Sequence, residues 1–264
     1  MLSITNHDGV LRILLDRPEA KNALTAEMRD GITDAVRSAR ADSEVRCVLI
    51  TGAGDAFCSG MDLTASTVMQ AGKPEFRTRM TSEALRMGVQ AFIRELWELD
   101  KPTIAVVNGA AVGPGAHLAL ACDFVLVHGE TKFVWTFPKW GLVVDAGGAY
   151  LLPRLVGLPR AKALVMLGES IVGADAVDEG LALRCYDDVE SLIAGADELA
   201  ARLARAPTRS IGLSKRLLNA SFETDLAASL ELEGHFQALA TTSPDLIEGM
   251  AAFRDKRAAD FHGD

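Results

Sequence analysis

The chain has 264 residues, of which 27 are basic and 36 acidic, so its formal net charge is −9. Hydrophobic residues make up 49% and charged residues 24%, which is ordinary for a globular protein and excludes wholesale disorder. The acidic balance argues against a general nucleic-acid binder, because such proteins need a basic surface. The length suits one large domain, or one domain with a small appendage.

The N-terminal residues and the cysteines indicate the cellular compartment. Residues 1–8 contain neither a basic nor an apolar segment, so no secretory signal peptide is predicted. No run of 18 apolar residues occurs, so no membrane span is predicted. We expect a cytoplasmic protein with reduced thiols that are neither disulfides nor zinc ligands, because the four cysteines are scattered without a CxxC pair: Cys47, Cys58, Cys122 and Cys185.

Strands and helices are predicted to alternate along most of the chain. Apolar runs predict strands at 10–15, 46–51, 103–107 and 124–127. Thr25 is a good helix cap, and a helix to Ala41 is predicted from apolar residues at helical spacing: Met28, Ile32, Ala35, Val36 and Ala39. Further helices are expected at 74–99 and 113–122. This alternation favours an α/β fold with much parallel pairing.

The C-terminal part has a different pattern. Helical periodicity dominates from Asp188 to Asp260, and Ala206-Pro207-Thr208 is a plausible hinge. The sequence therefore predicts an α/β core over residues 1–206 and a helical region over 207–264.

Three glycine-rich stretches are candidates for chemistry: 56–63, 108–117 and 141–148. Glycines at a strand-to-helix turn expose backbone N–H groups, where the helix dipole favours negative charge. Such turns suit a phosphate or an oxyanion that develops during a reaction. The alternative is that they are tight turns requiring positive φ.

These stretches, in this order, resemble the crotonase superfamily, also called the enoyl-CoA hydratase/isomerase family. The resemblance covers essentially the whole chain and is carried by six segments: RPEAKNAL (17–24), ITG (50–52), AFCSGMDL (56–63), KPTIA (101–105) with Asn108-Gly109, DAGG (145–148) with LLPR (151–154), and FRDKR (253–257). It implies a crotonase-like spiral of ββα units, followed by helices that build homotrimers, often paired into hexamers. It also implies an acyl-CoA thioester substrate.

The resemblance assigns roles by position. It implies that the backbone N–H of Met61 stabilises the thioester enolate. The adenine and pantetheine path would be lined by Ala56, Ser59, Gly60, Asp62 and Leu63, with Lys21 and Ala23 beside it. Phe253 and Lys256, of this chain or of a neighbouring subunit, would meet the CoA head. Taken alone, Lys21 and Lys256 are more typical of solvated surface lysines.

Three positions depart from the family pattern. The second oxyanion donor is expected directly after Gly113, but Pro114 has no backbone N–H. The N–H of Gly115, a water molecule or His117 are alternative donors. His117 and Phe137 occupy the positions of the two hydratase glutamates. Hydration needs one group to activate water and another to handle the α-carbon proton, so ordinary hydratase chemistry is disfavoured.

Asp145 occupies a position that carries a working carboxylate in the isomerase and dehalogenase branches. Trp135, Phe137 and Trp140 lie nearby in sequence, and an apolar pocket would raise the pKa of Asp145 and make it a better base. One carboxylate is enough to move a double bond, since the same group can remove and return a proton. The alternative is that Asp145 merely caps a helix starting at Ala146.

The remaining candidates each allow two interpretations. His117 is either an acid, base or hydrogen-bond donor, or a satisfied core histidine. Phe133, Trp135 and Phe137 alternate, so they share a face that lines an acyl pocket or packs in the core. Cys58 is interpreted as a packing residue, because no local feature indicates a lowered pKa.

The favoured function is acyl-CoA double-bond isomerisation, with Asp145 as base, the Met61 N–H on the thioester oxygen, and His117 assisting. The alternatives are hydration by a non-standard His/Asp site, carbon–carbon hydrolysis of a β-diketone, and acyl-CoA binding without catalysis. No metal or redox cofactor is expected, since there is no ligand cluster and no dinucleotide fingerprint. Coenzyme A enters only as part of the substrate.

Overall fold

The computed structural model describes residues 1–62 and 74–264. The strands in these ranges are β1 (Leu2–His7), β2 (Val10–Leu15), β3 (Cys47–Gly52), β4 (Ala56–Cys58), β5 (Thr103–Val107), β6 (Ala110–Val112), β7 (Phe124–His128), β8 (Lys132–Val134), β9 (Ser170–Val172) and β10 (Arg184–Tyr186). The helices are α1 (Ala26–Ala41), α2 (Pro74–Met87), α3 (Val89–Trp97), α4 (Pro114–Leu120), α5 (Gly148–Val156), α6 (Leu158–Leu167), α7 (Val189–Ala204), α8 (Thr208–Ala220), α9 (Leu226–Ala240) and α10 (Pro244–Asp255).

The strands form two sheets. The larger has the order β1-β2-β3-β5-β7-β10, and the smaller has the order β4-β6-β8-β9. Pairing is parallel except for β1 with β2 and β8 with β9. The strand pairs β3–β4, β5–β6 and β7–β8 each give their first strand to the large sheet and their second to the small sheet. Each pair is followed by a helix, which is the predicted spiral of ββα units.

The predicted elements of the core are largely confirmed. The strand at Val10–Leu15 and the strand at Thr103–Val107 have the expected bounds. Thr25 caps α1 by accepting a hydrogen bond from the N–H of Met28, at 3.2 Å. The predicted apolar face of α1 is buried, because it packs against the large sheet and α3: Met28, Ile32, Ala35, Val36 and Ala39.

Three helix predictions need correction. The single helix expected over 74–99 is two helices, since Gly88 has the non-helical angles φ −104° and ψ −109°. A β-carbon at Gly88 would collide with the Arg29 guanidinium and the Ala84 carbonyl. Helix α4 ends at Leu120 instead of residue 122. The last helix ends at Asp255, before the predicted limit of Asp260, with Lys256 in the left-handed conformation.

Several strands were missed by the sequence interpretation: β1, β4, β6, β9 and β10. Strand β1 pairs with β2 in an antiparallel hairpin, with His7 opposite Val10. The connecting Asp8 and Gly9 both have positive φ, at 50° and 78°. An Asp-Gly pair is a strong hairpin signal, because both turn residues must adopt positive φ. Asp8 and Gly9 were therefore the signal from which the hairpin could have been predicted.

The C-terminal helices extend from the core as expected from their periodicity. Helix α8 begins at Thr208, the last residue of the predicted hinge. Its Lys215 ammonium is buried against the Asp123 carboxylate at 2.9 Å. Helix α9 has no buried residue. Whether residues 207–264 form a unit distinct from 1–206 stays a prediction. Among the described residues, no helix is both long and apolar enough to span a membrane.

Candidate active site

The turn after β4 presents a backbone donor at Met61. Gly60 has φ 96°, and Met61 forms an isolated parallel bridge with Leu24. In this bridge Leu24 donates to the Gly60 carbonyl at 2.7 Å and accepts from the N–H of Asp62 at 3.0 Å. Both bonds use the neighbours of Met61, as in parallel pairing generally. The N–H of Met61 itself therefore points away from Leu24.

Two side chains from residues 17–24 hold this turn in place. The amide of Asn22, which is fully buried, donates to the carbonyls of Ala53 and Ala56 at 2.9 and 2.8 Å. Arg17 donates to the carboxylate of Asp62 at 3.0 Å. Neither Arg17 nor Asn22 was assigned a role from sequence, although both lie in the first family-like segment. Their position in that segment was the signal.

The turn after β6 lies beside the Met61 turn, because β4 and β6 pair in parallel. Gly113 has φ 51° and donates to the Val134 carbonyl at 2.8 Å. Pro114 is the first residue of α4, where a missing N–H costs no intrahelical bond. Gly115 follows it and packs so closely on Cys58 that a β-carbon would collide with the Cys58 carbonyl. The N–H of Gly115 is the next donor in the first turn of α4.

His117 is fully buried one turn into α4. Its Nε2 accepts a hydrogen bond from Trp135 Nε1–H at 3.0 Å, and its ring is nearly parallel to the Phe137 ring, with centroids 5.8 Å apart. Burial lowers the pKa of His117 to about 4, partly offset by the backbone of Asp145. The imidazole is therefore neutral at pH 7. Its Nδ1 is buried without a hydrogen-bond partner among the described residues, so the ring is not the fully satisfied core histidine of the alternative interpretation. A buried, neutral ring is nevertheless poorly suited to act as an acid or base.

Asp145 opens a tight turn before α5. Ala146 and Gly147 have φ of 47° and 78°, and the N–H of Gly148 donates to the Asp145 carbonyl at 2.9 Å. The suggestion that Asp145 caps a helix starting at Ala146 is wrong. The helix starts at Gly148, Gly147 is its N-cap, and no side chain caps it. The positive φ values at Ala146 and Gly147 prevent the helix from starting earlier.

The Asp145 carboxyl has the environment of a base. It is half-buried, and its Oδ1 is buried without a hydrogen-bond partner among the described residues. Burial raises its pKa to about 6, in the predicted direction. Gly148, at the end of the same turn, packs directly on His117, since a β-carbon there would collide with the imidazole. The Asp145 turn, His117 and Phe137 thus form one continuous packed unit.

Phe133, Trp135 and Phe137 are all buried, but only Phe133 lies in a strand. Phe137 begins a 3₁₀ turn that ends at Trp140, so the alternation does not continue through it. The Phe137 ring lies 3.5 Å from the position that a Gly113 β-carbon would take. Phe137 therefore covers the Gly113 turn, whereas Trp140 is 63% exposed.

The chain matches known proteins over nearly its whole length. The sequence model of the enoyl-CoA hydratase/isomerase family matches residues 5–264. The chain belongs to this family.

Relatives within the family act on different CoA thioesters. The 1,2-epoxyphenylacetyl-CoA isomerase of Escherichia coli K12 is 39% identical over 97% of this chain and 95% of its own. The crotonyl-CoA hydratase of Syntrophomonas wolfei is 32% identical over 94% and 93%. The crystal structure of an enoyl-CoA hydratase from Polaromonas sp. JS666 has a TM-score of 0.90 at 30% identity, over 98% and 99% of the two chains. This enoyl-CoA hydratase/isomerase family member is accordingly an enzyme that acts on CoA thioesters.

The family-derived binding residues lie in several environments. Ala56 and Gly60 are buried, Ala23, Ser59 and Met61 are half-buried, and Lys21 is exposed, with its ammonium 3.9 Å from Asp55. Asp62 is paired with Arg17. Leu63 lies outside the described residues. These positions, apart from Leu63, lie along the two segments that flank the Met61 turn.

Phe253 and Lys256 lie at the end of α10, away from these segments. Phe253 is 88% exposed. In the described ranges no hydrogen bond, ion pair or ring contact joins either side chain to the Met61 or Pro114 turn. Their role at the CoA head stays a prediction.

Cys58 is the packing residue predicted from sequence. It is fully buried beside Gly115, and burial raises its pKa to about 12. A thiol with so high a pKa is not a nucleophile at neutral pH. In the part of the chain that the structure describes, no three His, Cys, Asp or Glu side chains are grouped as a metal site.

Proposed function

We propose that this enzyme isomerises an unsaturated acyl-CoA, with Asp145 as the single base that removes a proton from one carbon and returns it to another. The observation that carries the proposal is the environment of the Asp145 carboxyl. It is half-buried and has one unpaired oxygen among the described residues, and its pKa is raised to about 6. A base near the operating pH is mostly ionised, yet its conjugate acid can still return the proton.

The substrate oxyanion would bind at the Met61 turn. A thioester enolate places negative charge on the carbonyl oxygen, and a fixed backbone N–H stabilises that charge. The N–H of Met61 is directed away from the Leu24 bridge and is available for this role. Since Pro114 has no N–H, we assign the second donor to Gly115, in the first turn of α4.

The two positions of the hydratase glutamates support isomerisation over hydration. Phe137 has no ionisable group, and His117 is buried and neutral with Nε2 occupied by Trp135. Neither can activate water as general base. Hydration would then depend on Asp145 alone for two distinct proton transfers. Isomerisation needs only one group that acts twice.

The substrate class follows from the aromatic wall and from one relative. The Escherichia coli relative is an isomerase of an epoxide of phenylacetyl-CoA. In this chain the Phe137 ring lies over the Gly113 turn, and the buried His117 ring is nearly parallel to it. A flat acyl group with a ring or conjugated double bonds matches such a wall better than a saturated chain does. We therefore propose a cyclic or conjugated acyl group.

A homotrimer, or a hexamer made of two trimers, is proposed for the assembly. A groove of about 790 Å³ between α8, α9 and α10 is lined mainly by apolar residues, among them Leu230, Phe236 and Met250. Covering these residues with another subunit would remove apolar surface from water. It would also allow Lys256 and Phe253 of one subunit to reach CoA in another. We further propose a cytoplasmic enzyme of fatty or aromatic acid metabolism that needs no cofactor beyond substrate CoA.

The test is incubation of the purified enzyme with paired 2-enoyl- and 3-enoyl-CoA esters, linear and cyclic, in heavy water. Products are analysed by mass spectrometry and NMR. Interconversion of a pair with deuterium incorporation and without 3-hydroxyacyl-CoA is the expected result. A 3-hydroxyacyl product would instead establish hydration by a His/Asp site. Cleavage of a β-diketone that lacks CoA, without stabilisation by free CoA on melting, would favour the hydrolase. CoA-ester binding without deuterium exchange would indicate a binding protein.

A further inference from the structure

The hydrogen bond between Trp135 and His117 fixes the protons of the imidazole. Both side chains are fully buried, and Trp135 Nε1–H lies 3.0 Å from His117 Nε2. An indole nitrogen can only donate a hydrogen bond, so Nε2 must keep its lone pair. The neutral imidazole therefore has its proton on Nδ1. Nε2 is occupied and Nδ1 has no lone pair, so neither nitrogen is available as a base.

The imidazole is also fixed in space. Its face lies against the Phe137 ring, at an interplanar angle of 7°. Gly148 packs on its edge, since a β-carbon at Gly148 would collide with Nε2. The backbone N–H of His117 donates to the Gly113 carbonyl at 3.1 Å. One orientation of the ring satisfies these contacts together.

The Asp145–Gly148 turn, next to this ring, has a backbone conformation that its surroundings must stabilise. Ala146 has φ 47°, a left-handed conformation that is unfavourable for a residue with a β-carbon and persists only where its surroundings impose it. The backbone of Asp145 is close enough to His117 to affect its pKa, and Gly148 at the other end touches the imidazole. His117 thus packs against Gly148 at one end of the turn from which the Asp145 carboxyl projects. Its Nδ1 has no hydrogen-bond partner among the described residues, so this packing is the contact through which it holds the turn.

We propose that Trp135 and His117 are a positioning pair for Asp145. Trp135 fixes the tautomer and orientation of His117, and His117 holds the Asp145–Gly148 turn so that the carboxylate faces the substrate. This inference rests on the proposed function, in which Asp145 is the base. Trp135 and His117 act through Asp145 and do not exchange protons with the substrate.

The first test is Trp135→Phe, which removes the indole N–H and keeps an aromatic ring. The readout is deuterium exchange and isomerisation of 3-enoyl-CoA esters over a pH series. We expect kcat to fall about tenfold while KM stays within about twofold. The acidic limb of the pH profile should also move, because burial sets the pKa of the Asp145 carboxyl and a displaced carboxyl is buried to a different extent. Tyr186→Phe, a conservative change at a half-buried aromatic residue of β10 at the edge of the large sheet, is the control and should leave all three quantities unchanged.

The second test compares His117→Asn with His117→Leu, both in the Trp135→Phe background so that no buried indole N–H is left unpaired. An asparagine amide places an N–H near the position of Nδ1, whereas leucine has none. We expect the Asn variant to stay within about threefold of Trp135→Phe and the Leu variant to fall at least a further tenfold. Thermal melting with and without free CoA identifies any variant that fails to fold, and Trp135→Phe then decides alone.

Three results would overturn the positioning role. One is a Trp135→Phe enzyme with the kcat and pH profile of the parent. Another is an Asn variant no more active than the folded Leu variant. The third is a folded His117→Leu enzyme as inactive as Asp145→Asn, since His117 would then take part in the proton transfer. Turnover that survives Asp145→Asn would refute the proposed function instead, so the two failures are distinguishable.

Discussion

Two turns lie side by side at the candidate active site. One presents a backbone hydrogen-bond donor and the other a rigid, buried wall. The Met61 turn follows β4 and the Pro114 turn follows β6, and these strands pair in parallel. The Met61 turn is held from outside by Arg17 and Asn22 and presents a backbone N–H. The Pro114 turn opens a buried helix, lacks the first N–H, and places His117 inside the protein. Equivalent strand ends can thus provide a donor in one case and a rigid wall in the other.

This difference is consistent with the reaction that we propose. A backbone donor depends on the path of the chain, and the buried Asn22 amide maintains that path through two carbonyls. A side-chain function depends on one residue and is lost by one substitution. At the second turn both hydratase carboxylates are replaced, by His117 and Phe137. The carboxylate of Asp145 then comes from a third segment, outside both turns.

The largest effect is expected from Asp145→Asn, which tests whether the base lies outside both turns. Turnover should fall roughly a thousandfold, within the range attributed to general base catalysis. Binding of the CoA ester, measured by calorimetry, should change by less than about threefold. In the parent enzyme kcat/KM should fall as the pH drops below about 6, because Asp145 becomes protonated. A variant with parental turnover would place the base in one of the two turns.

Met61→Pro tests the donor of the first turn. Proline removes the N–H, and the Leu24 bridge does not use it, so the hydrogen bonds of the turn remain. We expect kcat to fall about 100–1,000-fold, the cost of losing one oxyanion donor. Met61→Ala keeps the N–H and is the control, with kcat within about threefold. Equal kcat values for the Pro and Ala variants, in steady-state assays, would exclude the oxyanion role.

Asn22→Ala tests the external support of the first turn. The substitution leaves the carbonyls of Ala53 and Ala56 without their donor, and we expect a loss of about 2–4 kcal/mol in the free energy of unfolding. Denaturant titration measures this loss. Ser59→Ala removes one hydroxyl bond to the Ala20 carbonyl and should cost about 1 kcal/mol or less. A smaller loss for Asn22→Ala than for Ser59→Ala would contradict the assigned support.

Pro114→Ala makes the second turn more like the first by restoring an N–H. Proline at the first helical position gives up no intrahelical bond, so the fold should tolerate the change. We expect kcat to rise, by up to about tenfold, because an added donor lies beside Gly115 in the same turn. Steady-state kinetics with the preferred enoyl-CoA ester is the measurement. An unchanged kcat would mean that Gly115 already supplies the whole second interaction.

The smallest effect is a pH-dependent difference in stability between parent and Asp145→Asn. The folded-state pKa of Asp145 is raised to about 6 from 3.8, so its stabilising contribution is present at low pH and is lost as the pH rises through 6. Asparagine does not ionise, so the variant loses no stability at this position as the pH rises. The variant should therefore melt higher than the parent at pH 8, and the difference should shrink towards pH 4. A difference that is constant with pH would show that folding does not shift this carboxyl.

The alternation of strands and helices, the cap at Thr25, the buried face of α1 and the family segments follow from local patterns. Residue spacing sets these features, so they are predictable from the sequence. The sequence also indicated Met61, Asp145 and the replaced glutamates through the family resemblance. It missed the strands β1, β4, β6, β9 and β10, the break at Gly88 and the roles of Arg17 and Asn22. At the break, the space around Gly88 is filled partly by the Arg29 guanidinium, which is distant along the chain.

What the sequence determined by itself is the order of elements and the identity of the groups at the site. Only the tertiary structure decided their chemical states. The His117 tautomer depends on Trp135, the raised pKa of Asp145 depends on burial, and the free direction of the Met61 N–H depends on its bridge to Leu24. Each is set by groups that are distant in sequence, because hydrogen bonding and desolvation act through space.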